Sequence, residues 1–152
     1  MAKKFQNPEH KKAWDEFAHY CRIKGCLDTT GLAFVGVCVT CGKRCHIDWL
    51  QAGHFLSGRH NAIIFNEKFV NIQCTICNEV FHGKPKKYRK VMVERYGEEY
   101  VARWENKLKH QKIIHDGDIN WVQRAARYKR KKEILLRKYG YKTFSELLRE
   151  GK

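Results

Sequence analysis

No apolar run in this chain approaches the ~20 residues that a membrane-spanning helix needs, so no membrane partner is expected. The N-terminal Met1-Ala2-Lys3-Lys4-Phe5-Gln6-Asn7-Pro8 lacks the apolar stretch of a secretion signal, which predicts a cytoplasmic protein. Acidic residues are scarce, 16 Asp+Glu against 31 Lys+Arg, for a formal net charge of +15 over 152 residues. That imbalance points to nucleic acid, held through phosphate contacts and counterion release. Proline is scarcer still: Pro8 and Pro85 are the two, and each stands where a helix can begin.

Cysteine is abundant by comparison. Four of the seven form two C-x-x-C units, Cys38-Val39-Thr40-Cys41 and Cys74-Thr75-Ile76-Cys77. Each short spacing turns two sulfurs toward one point, so the pair of units can close a tetrahedral zinc site. In a reducing cytosol such cysteines are metal ligands rather than a disulfide framework. Cys21 and Cys26 read as a core thiol and a turn residue. Cys45 and His46 lie near the first unit and stay open as substitute ligands. Zinc alone would suggest a structural module, but His54 lies between the units, Asn78 directly behind the second, and His82 just beyond.

Residues 7–24 read as a helix capped by Asn7 and stopped by Gly25, with Trp14, Phe17 and Cys21 on one buried stripe. Residues 33–56 carry the β signal. Ala33–Val37 leads into the first C-x-x-C, Gly42-Lys43-Arg44 turns, and Asp48–Phe55 is the following strand. Gly53 inside that strand suggests a bulge or a close approach to its backbone. Residues 57–73 read as a loop with a short extended piece over 62–65, after which the second C-x-x-C opens a helix containing Asn78 and His82. A helix from Pro85 to Gly97 follows, then a stripe of Val101, Trp104 and Leu108. A long helix from Ile119 to Tyr139 is capped by Asp118 and ended by Gly140. Thr143–Glu146 is a capping box for a last short helix bearing Leu147 and Leu148.

Hydrolysis of a phosphodiester needs an activated water, neutralisation of the phosphate and stabilisation of the leaving 3′ oxygen. A neutral histidine can take the proton and a divalent ion can do the rest. His54 is the candidate base. Asn78 and His82, four residues apart on the expected helix, would share a Mg²⁺ or Mn²⁺ ion, which accepts an amide oxygen beside waters and phosphate oxygens. Two basic runs are candidates for the DNA contact. Lys84, Lys86, Lys87, Arg89 and Lys90 adjoin the expected site, and the long helix carries a dense series that includes Arg127, Arg130 and Lys131.

Cys38-Val39-Thr40-Cys41-Gly42, Gln51-Ala52-Gly53-His54-Phe55, Ser57-Gly58-Arg59-His60 and Gln73-Cys74-Thr75-Ile76-Cys77-Asn78 together resemble the phage NinG (Rap) recombination proteins. More broadly they resemble the zinc-containing HNH, or His-Me finger, nucleases. Phe17–Arg22 and the Tyr96-Gly97-Glu98-Glu99 stretch are similar too, so the resemblance covers roughly residues 14–105 and leaves the tail after about Lys109 unassigned. It implies an α+β protein: a ββα-metal, treble-clef-like zinc core flanked by N- and C-terminal helices. The expected division is an N-terminal helix over 1–30, a zinc-stapled nuclease core over 31–97 and a basic helical region over 98–152. It further implies structural Zn²⁺ on the four cysteines, His54 as general base, Asn78 at a catalytic Mg²⁺ or Mn²⁺, and Arg59 gripping the scissile phosphate. Many HNH nucleases carry Asp or His directly before the base, where this chain has Gly53. Gln51, Asp48 or a backbone carbonyl would have to compensate, and Asn71 would have to orient the base.

The function so implied is a structure-specific endonuclease cutting branched recombination intermediates, Holliday junctions or flaps, in a bacterial host cell, to leave 5′-phosphate and 3′-hydroxyl ends. Symmetric cutting calls for a homodimer, with the long basic helix or Leu147 and Leu148 as contacts. The rival is a non-catalytic zinc-finger protein that binds nucleic acid, which would need neither His54 nor Asn78.

Overall fold

A computed structural model describes residues 7–56, 64–110 and 119–152. Among them the architecture is mixed α+β, two small antiparallel sheets set among helices. Asn7 caps helix α1 (Pro8–Thr30) by accepting from the amides of Glu9 and His10, and Pro8 occupies its first turn. The helix runs past Gly25 to a left-handed cap at Gly31, later than glycine content alone suggests. Gly25 is not a stop but a contact: a Cβ there would lie 2.6 Å from Ile72 Cγ2. The extension makes Cys26 a fully buried helical residue rather than a turn residue.

Strands β1 (Val35–Val37) and β2 (Arg44–His46) pair around the first C-x-x-C, with Gly36 opposite Cys45. Ile47–Trp49 form a 3₁₀ turn, so the next strand, β3 (Leu50–His54), starts later than Asp48. Its partner β4 (Val70–Cys74) lies in the stretch expected to be loop. Leu50 pairs with Cys74 and His54 with Val70 in an unbroken register, so Gly53 marks no bulge. It marks the close approach instead, because a Cβ on Gly53 would stand 2.9 Å from Gln73 Cδ and nearer still to its Oε1. Ile64 and Phe65 form a buried turn rather than a strand; Ala62 and Ile63 lie outside the described residues.

After Cys74 the chain makes a single π-helical turn, Ile76–Val80, in place of the expected longer helix. Helix α2 (Pro85–Tyr96) ends at Gly97, as its glycine predicts, and α3 (Glu98–His110) follows. Helix α4 (Trp121–Lys138) is capped by Asn120, whose side chain accepts from the Gln123 amide at 3.0 Å. Asp118 lies outside the described residues. Thr143 caps the short α5 (Phe144–Leu147) by accepting from the Glu146 amide.

Three apolar clusters hold these elements. Ile23, Cys26, Ile47, Leu50 and Ile72 pack with Cys38, Cys74 and Cys77, and Leu136 and Leu147 from the C-terminal helices join them. Leu147 is fully buried in this cluster and is therefore no dimer contact. Phe17, Tyr20, Phe65, Trp121 and Tyr128 form an aromatic cluster between α1 and α4, and Phe55, Phe69, Tyr88, Met92 and Val101 a third under α2 and α3. No helix among the described residues is long and apolar enough to cross a membrane.

Candidate metal centre and the adjoining cavity

The four C-x-x-C cysteines converge, with all four Sγ atoms within 4.8 Å of one another. Cys41 Sγ and Cys74 Sγ are 3.8 Å apart. A tetrahedron with Zn–S bonds of about 2.3 Å has sulfur–sulfur edges of about 3.8 Å, so the donor set fits zinc. Burial pushes the Cys38 thiol up, but hydrogen bonds with the Thr40 hydroxyl and the backbone at Cys74, Cys41 and Thr40 outweigh it and bring it down to about 6. Cys41 is pushed up to about 12 by burial and by its hydrogen bonds with Cys38 and Cys77. Binding a metal here would therefore release protons from the remaining thiols. Neither substitute ligand is used. Cys45 faces the Lys43 carbonyl. His46 Nε2–H donates to the Glu150 carbonyl at 2.7 Å while its Nδ1 accepts from the Asp48 amide.

The cysteines fix one end of the β3–β4 pair, and Gln73 carries that order inward. Its buried amide donates to Thr40 Oγ1 at 3.0 Å and to the Gly83 carbonyl at 2.8 Å, linking the first C-x-x-C to the loop after the second. On the same face the Tyr88 hydroxyl accepts from the Asn71 amide at 3.0 Å and donates to the Gly53 carbonyl at 2.8 Å, bridging the strands one residue before His54.

His54 ends β3, half-buried and stacked on Trp14 of α1 with ring centres 4.9 Å apart. Its Nε2–H donates to the Ile64 carbonyl at 3.0 Å. Asn71 does not orient this ring. Its side chain is committed to Tyr88, the Lys68 carbonyl and Arg95.

Asn78 lies at the other end of β3. Its Nδ2 donates to Gln51 Oε1 at 2.7 Å, and Gln51 in turn donates to the Glu79 carboxylate. This leaves Asn78 Oδ1 as its remaining acceptor. His82 is not on a helix with Asn78. It has φ +49°, followed by Gly83 at +83° and Lys84 at +47°, three left-handed residues in succession. Holding a non-glycine residue there costs about 1–2 kcal/mol. His82 and Asn78 nevertheless line one cavity of about 750 Å³ between α1 and β3. Glu79 and Gln51 share that wall, and Asp15, His19 and Arg22 of α1 form the opposite one. The α1 residues recur at helical spacing beside the Trp14 stripe, a signal present in the sequence that the buried stripe alone does not reveal. Burial, then the positive charges of Lys132 and Arg22, hold His19 neutral by lowering its pKa from 6.5 to about 4. Asp48 cannot replace the missing ligand beside His54, since it faces His46 and Lys152.

His54 is not among the lining residues, but Trp14, on which it stacks, and Ala52, on its own face of β3, line the same cavity as Asn78 and His82. Three strand residues, about 10 Å at ~3.4 Å per residue, separate Gln51 from His54. Arg59 lies outside the described residues. Of the expected DNA contacts, Lys86, Lys87, Lys90, Arg127 and Arg130 are exposed. Lys84 lies over the Phe81 ring. Arg89 is tied to Glu98 and Glu105, and Lys131 to Glu67, so these two are spent on the fold.

Fold and site thus define a mixed α+β protein whose four clustered cysteines could bind a zinc ion. Residues 4–138 match the family model described as Bacteriophage Lambda NinG protein, and the chain belongs to that family. The match reaches past Lys109 to the end of α4. The chain is 31% identical over 81 residues to "Protein ninG" of Escherichia phage lambda, an alignment covering 52% of this chain and 39% of that relative. The chain thus spans well under half the length of the curated relative it matches. No solved structure matches it.

Proposed function

We propose that this chain is a metal-dependent endonuclease of the zinc-containing HNH kind that hydrolyses phosphodiester bonds in branched recombination DNA. The cavity of about 750 Å³ at the edge of β3 carries the reading, because it gathers Asn78, Glu79, His82 and Arg22 beside the strand that ends in His54. The net charge of +15 supports a polyanionic substrate. The strain at His82 and the π-turn beneath Asn78 are features that cluster at functional sites.

In this reading zinc on Cys38, Cys41, Cys74 and Cys77 is structural. Asn78 Oδ1, the Glu79 carboxylate and His82 would hold a Mg²⁺ or Mn²⁺ ion, with phosphate and water completing its shell. When bound, that ion would offset charge on the phosphate and on the leaving 3′ oxygen. His54 would take a proton from the attacking water as general base. Arg22 stands on the cavity wall for a phosphate oxygen, and Arg59 is the second guanidinium assigned to that role. Since Trp14 both lines this cavity and stacks on His54, the scissile phosphate would lie along β3 between the ion site and the base. The products would carry 5′-phosphate and 3′-hydroxyl ends. A homodimer would supply the two sites that symmetric cutting requires.

One observation favours the rival, a non-catalytic zinc-finger protein. Among the described residues the four cysteines are the one group of three or more His, Cys, Asp or Glu side chains close enough to share an ion. End-labelled four-way junction, flap and plain duplex, incubated with zinc-loaded protein and Mg²⁺ or Mn²⁺, decide between the two. Preferential cutting of the branched substrates is expected. Tight binding with no cutting under either ion would establish the rival.

A further inference from the structure

Away from that cavity, the face beside the first C-x-x-C leaves large apolar side chains in water. Trp49 is 65% exposed, and Ile76, Val80 and Phe81 are 53%, 65% and 51% exposed. The backbone forces these positions. Ile47 and Leu50 on either side of the 3₁₀ turn are fully buried, so the turn projects Trp49 outward. The π-turn is closed by a 3.0 Å bond from the Phe81 amide to the Ile76 carbonyl and leaves Ile76, Val80 and Phe81 exposed.

Trp49 and Ile76 share an open cavity of about 450 Å³ whose walls include Lys43, Arg44, His46 and Thr75, and no carboxylate lines it among the described residues. Beyond Ile76, Lys84 Nζ stands 4.6 Å from the centre of the Phe81 ring. An exposed apolar patch of this kind marks an interaction surface. Protein interfaces are depleted of lysine at their apolar cores, whereas aromatic rings framed by cations are how single-stranded nucleic acid is held. The charge decides for nucleic acid.

We infer that Trp49, with Ile76 beside it, forms a stacking platform for unpaired nucleobases, with Lys43 and Arg44 receiving the flanking phosphates. This rests on the chain binding DNA, as proposed above, and not on its cutting DNA. Branched intermediates expose unstacked bases where their arms diverge, so the platform would supply preference for structure without reading sequence.

The test is binding of a short oligothymidylate to zinc-loaded full-length protein without added Mg²⁺. It is run in a His54→Ala background so that cleavage plays no part. Trp49→Ala should weaken binding about ten-fold, with zinc content and circular dichroism unchanged. Trp49→Phe should keep the affinity while abolishing most of the tryptophan quenching seen on binding. Lys43→Ala with Arg44→Ala should lower the salt slope by roughly 0.7 per cation removed. Parental affinity in Trp49→Ala would overturn the inference. So would a change of sedimentation state in that variant at unchanged affinity, which would mark a contact between protein copies. Failure of junction cutting elsewhere leaves this result intact.

Discussion

A side chain at position 53 would have to share the space of the Gln73 amide. Gly53→Asp therefore does not add a metal ligand before His54. It forces apart the buried Gln73–Thr40–Gly83 network and should cost about 2 kcal/mol or more in urea unfolding, with no gain in divalent-ion affinity. His19 makes a second test at this scale. Its pKa is 6.5 when unfolded and about 4 when folded, so the unfolded chain takes up the proton first. Stability should fall as pH drops from 6.5 toward 4, and His19→Gln should flatten that part of the pH–stability curve. The sequence pointed to the four cysteines because their spacing alone converges the sulfurs. It did not point to Asp15, His19, Arg22 or Glu79, which become neighbours only when α1 docks on β3.

The same division holds for the elements. Helix ends that depend on local chemistry were legible: Asn7 and Pro8 at α1, Pro85 and Gly97 at α2, Thr143 at α5. Those set by packing were not. Gly25 stays helical because Ile72 presses on it, and β4 was hidden although Val70-Asn71-Ile72-Gln73 alternates apolar and polar as a half-buried strand does. Helix α4 shows why a basic run must be divided by face. Lys131 pairs with Glu67, which also accepts from Tyr20 and Tyr128, whereas Arg127 and Arg130 point outward. Lys131→Ala should lower stability by about 1–3 kcal/mol, because it strips a partner from a half-buried carboxylate. Arg127→Ala with Arg130→Ala should leave stability within about 0.5 kcal/mol and reduce the salt slope of DNA binding instead. Paired denaturation and salt titrations separate the two.

Over the whole molecule the four-cysteine cluster is the junction at which β1, β2, β4 and the π-turn meet, with Leu136 and Leu147 packed against it. Binding of zinc there is then folding energy. Removing it with a chelator should melt the β signal and loosen the C-terminal helices together, and zinc should restore both. Melting that spared α4 would show that the cluster is peripheral to the fold. The sequence made the cluster visible but not its reach, since the contacts of Leu136 and Leu147 with it span roughly two-thirds of the chain. The proposed function requires that this scaffold present His54 and Asn78 for phosphodiester hydrolysis. It is tested most directly by single-turnover cutting of a four-way junction by zinc-loaded parent, His54→Ala and Asn78→Ala proteins in Mg²⁺. Both variants are expected to retain zinc and bind the junction yet fail to cut it, and undiminished cutting by His54→Ala would overturn the proposed role of His54.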